Sequence, residues 1–261
     1  RNTTVNSVGG LHVNQWFFPD WKIGGHGYTN VTKALAWSVN TFFYMLGGGY
    51  QNFRGLGVSK IIRYAKSFGF GSPLGIDLPG ERPGFLPTPE WKEQTQQEPW
   101  YIGDTYHLAI GQGGLLVTPL QLTVATAAVA NGGTVYKPHL VRAFKTETST
   151  TPVNPEILSH DFIAPANLAV VRQGLRETVT YGSARVMSSL PVAVAGKTGT
   201  AQWNTHKDPH AWFVGFAPYA NPEIVITVLI EEGGEGSTVS VPVAQDFLSW
   251  YFNVYKKEKI N

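Results

Sequence analysis

Three runs rich in β-branched and aromatic residues crowd into the last third of the chain, at 192–201, 211–217 and 224–230. Turn residues separate them, and Asn221-Pro222 between the last two predicts a hairpin. Strands this close in sequence pair most simply as antiparallel neighbours. A helix-period segment follows over 241–254, and helical segments dominate the sequence before them. Helices, then adjacent strands, then a helix predict a mixed α/β (α+β) domain with an antiparallel sheet flanked by helices.

Upstream, Thr29 or Asn30 is placed to cap a helix through Val31, Ala34 and Leu35. Gly47-Gly48-Gly49 stops any helix that follows Ser38. The spacing of Ile61, Ile62, Ala65 and Phe68 predicts a helix over 58–68. Pro119 opens a strong helical pattern that Asn131-Gly132-Gly133 ends, and another runs over 167–181. Residues 1–28 read as loop with one short strand, 69–105 as a long irregular stretch, and 146–155 as an exposed loop. No clean domain boundary is visible.

The 261 residues suffice for a large core, and 43% hydrophobic with 15% charged residues is ordinary globular composition. A net charge of +2, with no basic run interleaved with aromatics, argues against a nucleic-acid partner. The cluster Lys256, Lys257 and Lys259 reads as a solvated tail. The absence of cysteine excludes disulfides and thiolate zinc sites. No apolar run approaches a membrane span, and Arg1-Asn2-Thr3-Thr4 does not open like a signal peptide, so any anchor is expected outside this sequence.

Two segments carry chemistry. In Gly196-Lys197-Thr198-Gly199-Thr200, a strand would present a cation and hydroxyls, with Thr198 and Thr200 on one face. Gly199 would let a ligand lie close to the backbone, an arrangement that suits a carboxylate beside an edge strand. An edge strand with chance polar residues is the competing reading. In Ser38-Val39-Asn40, a serine and an asparagine two apart can enter one cleft from a tight turn, although a helix-surface pair reads the same way. Ser-x-Asn followed by Lys-Thr-Gly is part of the motif set of penicillin-binding proteins and β-lactamases.

Around these motifs the chain resembles class B penicillin-binding proteins of the elongation type (penicillin-binding protein 2). The matching stretches include Asp20-Trp21-Lys22 with Gly25-His26-Gly27, Ser38-Val39-Asn40-Thr41-Phe42, Gly75-Ile76-Asp77-Leu78-Pro79-Gly80, Pro87-Thr88-Pro89-Glu90-Trp91, Ala109-Ile110-Gly111-Gln112-Gly113 and Val117-Thr118-Pro119-Leu120-Gln121. The family's Ser-x-x-Lys is missing, since no serine here is followed three places later by lysine. The resemblance therefore implies residues 1–261 to be the C-terminal part of one penicillin-binding transpeptidase / serine β-lactamase-like domain, with the nucleophile upstream of Arg1.

What the resemblance implies about function is peptidoglycan D,D-transpeptidation through a serine acyl-enzyme, on D-Ala-D-Ala stem peptides. β-Lactam antibiotics and elongation-type cell-wall synthesis proteins would be its partners. The site would face the periplasm, at the outer side of the cytoplasmic membrane. Ser38 would relay a proton and Lys197 polarise that relay, the two converging within hydrogen-bond reach or one water apart. Lys197 would remain charged. Asn40 would hold the substrate amide, and Thr198, Gly199 and Thr200 the carboxylate and part of the oxyanion hole. No cofactor is implied. Asp20 and His26 match positions that bind a metal in some relatives, where a cysteine stands in place of Val39; with Val39 no metal is expected. His206 and His210 read as parts of a loop at the cleft rim, and Trp203, Trp212, Phe213 and Phe216 as core and cleft wall. A β-lactamase would share both motifs but needs a water-activating glutamate, which cannot be placed here. A non-catalytic penicillin- or peptidoglycan-binding module is the alternative of another class.

Overall fold

The computed structural model describes residues 3–258. Arg1, Asn2 and Lys259 of the terminal segments discussed above lie outside them. Four short strands open the fold: β1 Thr4–Ser7, β2 Gly10–Val13, β3 Trp16–Pro19 and β4 Gly27–Asn30. Here the expectation of loop with one strand is corrected. β2 and β3 form a hairpin, and β1 pairs antiparallel with β4. Four-residue strands broken by glycines are too short to show a period.

Helix α1, Val31–Trp37, starts where a cap was expected: the Asn30 side chain accepts from Lys33 N at 3.0 Å. α2 (Asn40–Gly48) and α3 (Val58–Ser67) follow. α4 (Pro89–Gln96) and α5 (Ile102–Ala109) correct the reading of 69–105 as irregular. Thr88 caps α4 through Trp91 N, with Pro89 in the first turn, a start signal that the surrounding Gly and Pro mask. α6 runs over Pro119–Asn131. Two small strand pairs come next: β5 (Val135–Tyr136) with β8 (Ile157–Ser159), and β6 (Ala143–Lys145) with β7 (Thr150–Pro152). β7 thus places strand where an exposed loop was expected, in a segment too polar to signal it.

After α7, Pro165–Thr180, the main sheet forms: β9 (Ala195–Ala201), β10 (His210–Ala217) and β11 (Ile224–Ile230). Its order is β11-β10-β9, antiparallel throughout, as the sequence predicted. α8, Ser240–Trp250, continues through a π-helical turn to Tyr255. Lys256, expected to be solvated, pairs with Glu223.

Alternation along β10 builds the core. Phe213 and Ala217 pack with Val241, Ala244 and Leu248 of α8, while Phe216 packs with Ala130 of α6 and Leu175 of α7. Each fully buried Phe, Leu or Val side chain among these contributes on the order of 1.5–3 kcal/mol. α7 also packs along α1, bringing the turn after α1 beside the edge strand β9. Among the described residues no helix is long and apolar enough to cross a membrane.

Candidate active site

Ser38 ends α1 in the left-handed region, φ 55° and ψ 48°. A non-glycine residue there costs roughly 1–2 kcal/mol. Its N–H still caps α1 on Leu35 O, and Val39 N bonds Ala34 O at 3.0 Å. Val39 is fully buried and extended, and α2 begins at Asn40. This kink between two helices turns Ser38 and Asn40 toward the same space. The Trp21 indole N–H spans it, 3.0 Å from Trp37 O and 3.1 Å from Ser38 O.

Across that space lies β9. Lys197 pairs with Val214 and Gly199 with Trp212, whereas Thr198 and Thr200 pair with Phe213 and Ala211. Lys197 and Gly199 therefore share one face and the two threonines the other. As an edge strand, β9 opens both to the gap beside it. A cavity of about 560 Å³ is lined by Ser38, Asn40, Lys197, Thr198, Gly199 and Thr200, so all six predicted site residues meet on it. Among the described residues Ser38 and Lys197 share no direct hydrogen bond. Lys197 Nζ donates instead to Thr198 O at 2.9 Å, and it and Ser38 line the same cavity. Burial pushes the Lys197 pKa down to about 8, leaving it mostly charged at neutral pH.

A second cavity, about 380 Å³, adjoins the first along β9 and is walled largely by apolar side chains, among them Leu108, Leu115, Leu122, Trp212 and Val214.

Asp20 and His26 sit behind the Ser38 turn. Asp20 is buried, and its carboxylate accepts from Trp21 N (2.9 Å), Asn40 N (3.3 Å), Thr41 N (3.0 Å) and Thr41 Oγ1 (2.7 Å). α2 has no cap from its own Val39, and Asp20 supplies it from outside the helix. His26 Nε2 is 4.0 Å from Asp20 Oδ1, and burial lowers its pKa. Val39 brings no ligand, Ser7 Oγ lies against Asp20 at 3.3 Å, and the Asp20 oxygens are already engaged. His26 Nε2 is buried without a hydrogen-bond partner, and among the described residues no group of three His, Cys, Asp or Glu side chains is placed to hold a metal ion.

Other residues at the site escaped sequence reading. Ser183, just beyond α7, holds Thr198, its Oγ 2.6 Å from Thr198 Oγ1; one serine after a helix end forms no pattern. Gln112 Nε2 donates to Thr200 O at 3.0 Å, and only the resemblance of its Gly-Gln-Gly stretch marked it. Gly236 N faces Thr200 Oγ1 at 3.4 Å; a Cβ there would lie 2.3 Å from both Gly199 O and Trp212 O. Phe213 and Phe216 are core, and Trp212 is cavity wall. Trp203 corrects the core reading: it is 46% exposed and stacks on His210. His206 lies in the loop between β9 and β10, whereas His210 begins β10, and neither lines the six-residue cavity.

Comparison with known proteins agrees with this architecture. The family described as penicillin binding protein transpeptidase domain matches residues 1–249. The peptidoglycan D,D-transpeptidase MrdA of Haemophilus influenzae is 34% identical over 255 residues, covering 90% of this chain and 38% of that protein. The chain thus spans about two fifths of the length of such relatives. Penicillin-binding protein 2 of Helicobacter pylori, solved in complex with MreC, superposes with a TM-score of 0.82 at 32% identity, covering 97% of this chain and 46% of that one. Penicillin-binding protein 2 of Pseudomonas aeruginosa, solved with WCK 5153, gives 0.81 at 34% identity, covering 95% and 56%. By motif, fold and similarity over nearly its whole length, this chain belongs to the penicillin-binding protein transpeptidase domain family.

Proposed function

We propose that the chain is the C-terminal part of the transpeptidase domain of an elongation-type peptidoglycan D,D-transpeptidase. The observation that carries this reading is the meeting of Ser38, Asn40 and Lys197–Thr200, from opposite halves of the chain, on one cavity. The nucleophile comes from a Ser-x-x-Lys segment preceding Arg1. Support for that is the lack of this motif in the sequence and the apolar cavity beside Lys197, which an apolar helix would fill.

In the reaction, the incoming serine oxygen bonds to the carbonyl carbon of the penultimate D-Ala, and the peptide C–N bond breaks to release the terminal D-Ala. An amine of a second stem then displaces the serine. Asn40 holds the substrate amide, and Ser38 passes the serine's proton toward the leaving nitrogen. Lys197 keeps that relay polarised and, with the Thr198 and Thr200 hydroxyls, draws in the terminal carboxylate. The Thr200 N–H supplies half of the oxyanion hole. Penicillins occupy the same groups and remain bound as acyl-enzymes. The whole protein works at the outer face of the cytoplasmic membrane with elongation-type cell-wall proteins; the complex of a relative with MreC supports such a partner. Fluorescent penicillin on the full-length protein tests the reading. A long-lived covalent label is expected, rapid loss of label would mean a β-lactamase, and no label a binding module.

A further inference from the structure

Ser183 hydrogen-bonds Thr198 among the motif residues, and its position joins the two halves of the site. Its N–H donates to Ala36 O at 3.1 Å, tying it to the last turn of α1 just before Ser38. Gly182 makes that approach possible, since a Cβ there would lie 2.2 Å from Ala36 O. Its hydroxyl meets Thr198 Oγ1 at 2.6 Å, a short O–H···O contact, and the residue lines the six-residue cavity.

Each hydroxyl carries one proton. A carboxylate only accepts, so Thr198 can serve it only by donating its own proton to it. The Ser183–Thr198 bond then has a single allowed direction, from Ser183 O–H to Thr198 Oγ1. The two hydroxyls form a chain running toward the anion, and such chains strengthen bond by bond. Without Ser183, Thr198 is free to turn its proton elsewhere, for example to a backbone carbonyl.

We propose that Ser183 is a positioning residue that aims the Thr198 hydroxyl at the carboxylate of the substrate or inhibitor. The proposal rests on the transpeptidase reading above. It makes Ser183 matter only as far as the ligand carries a negative charge at that place.

The test uses the full-length protein and two probes, benzylpenicillin and its methyl ester, which offers a neutral acceptor in place of the carboxylate. Second-order acylation rates are measured by intact mass for wild type, Ser183→Ala and Ser183→Thr. Ser183→Ala is expected to slow acylation by benzylpenicillin about tenfold or more, and acylation by the ester no more than about twofold. Ser183→Thr is expected to restore the rate with the acid. Equal losses on acid and ester would show a general packing role and overturn the proposal, as would no loss on either. A misfolded Ser183→Ala protein loses both rates and falls under the first of these. Failure of wild type to acylate with benzylpenicillin would overturn the transpeptidase reading itself, and the proposal with it.

Discussion

Ser38 holds a left-handed backbone conformation that glycine would adopt at less cost. Keeping a hydroxyl there, against that preference, agrees with a chemical role on the cavity it lines. The Lys197 pKa of about 8 lies below the ordinary lysine value near ~10.4. Between the two, the unfolded chain binds more protons than the folded one, so stability rises with pH across that window. The penalty of burying the cation is full below about 8 and fades toward ~10.4. Urea unfolding from pH 7 to 10 is expected to show wild type gaining stability relative to Lys197→Met as pH rises; a constant difference would contradict this. Function should move oppositely. Acylation of the full-length protein by a penicillin carboxylate is expected to fall above pH 8 as the ammonium is lost, and Lys197→Met to slow it at least about a hundredfold at pH 7. Stopped-flow labelling across pH checks both.

Among the elements, α2 depends on a carboxylate twenty residues away in sequence. Asp20→Ala leaves the Asn40 and Thr41 amides and the Thr41 hydroxyl without their acceptor in a buried place. A loss of about 1–3 kcal/mol is expected, read as a lower urea midpoint with unchanged slope. In the main sheet, Phe213→Ala opens a cavity between β10 and α8 and is expected to cost about 3–5 kcal/mol by the same measurement. These elements also show what could be read from sequence. β9, β10 and β11 were legible because runs of β-branched and aromatic residues are long and bounded by turns. α1 and α6 were legible from their caps. β1–β4 were not, because pairing between strands of four residues is fixed by tertiary contacts such as Gly25 against Ser7 and not by period. Asp20 stands out in the sequence only by matching a position that binds metal in some relatives, while its work as a remote helix cap needs the fold to place it.

For the molecule as a whole, the motif residues could be named from sequence, and their meeting was implied by the family resemblance but not by period or spacing. The packing of α7 along α1 brings the Ser38 turn to the edge of β9, and that packing depends on small contacts such as Gly174 beneath Leu35. On the proposed reading, the groups that bind and relay lie around this cavity and the nucleophile is supplied by a Ser-x-x-Lys segment before Arg1. Site mapping of the penicillin adduct on the full-length protein, by digestion and mass spectrometry, tests this most directly. One adduct per molecule is expected, on the serine of a Ser-x-x-Lys sequence before Arg1. An adduct on Ser38 or any other residue of these 261, or no adduct at all, would contradict it.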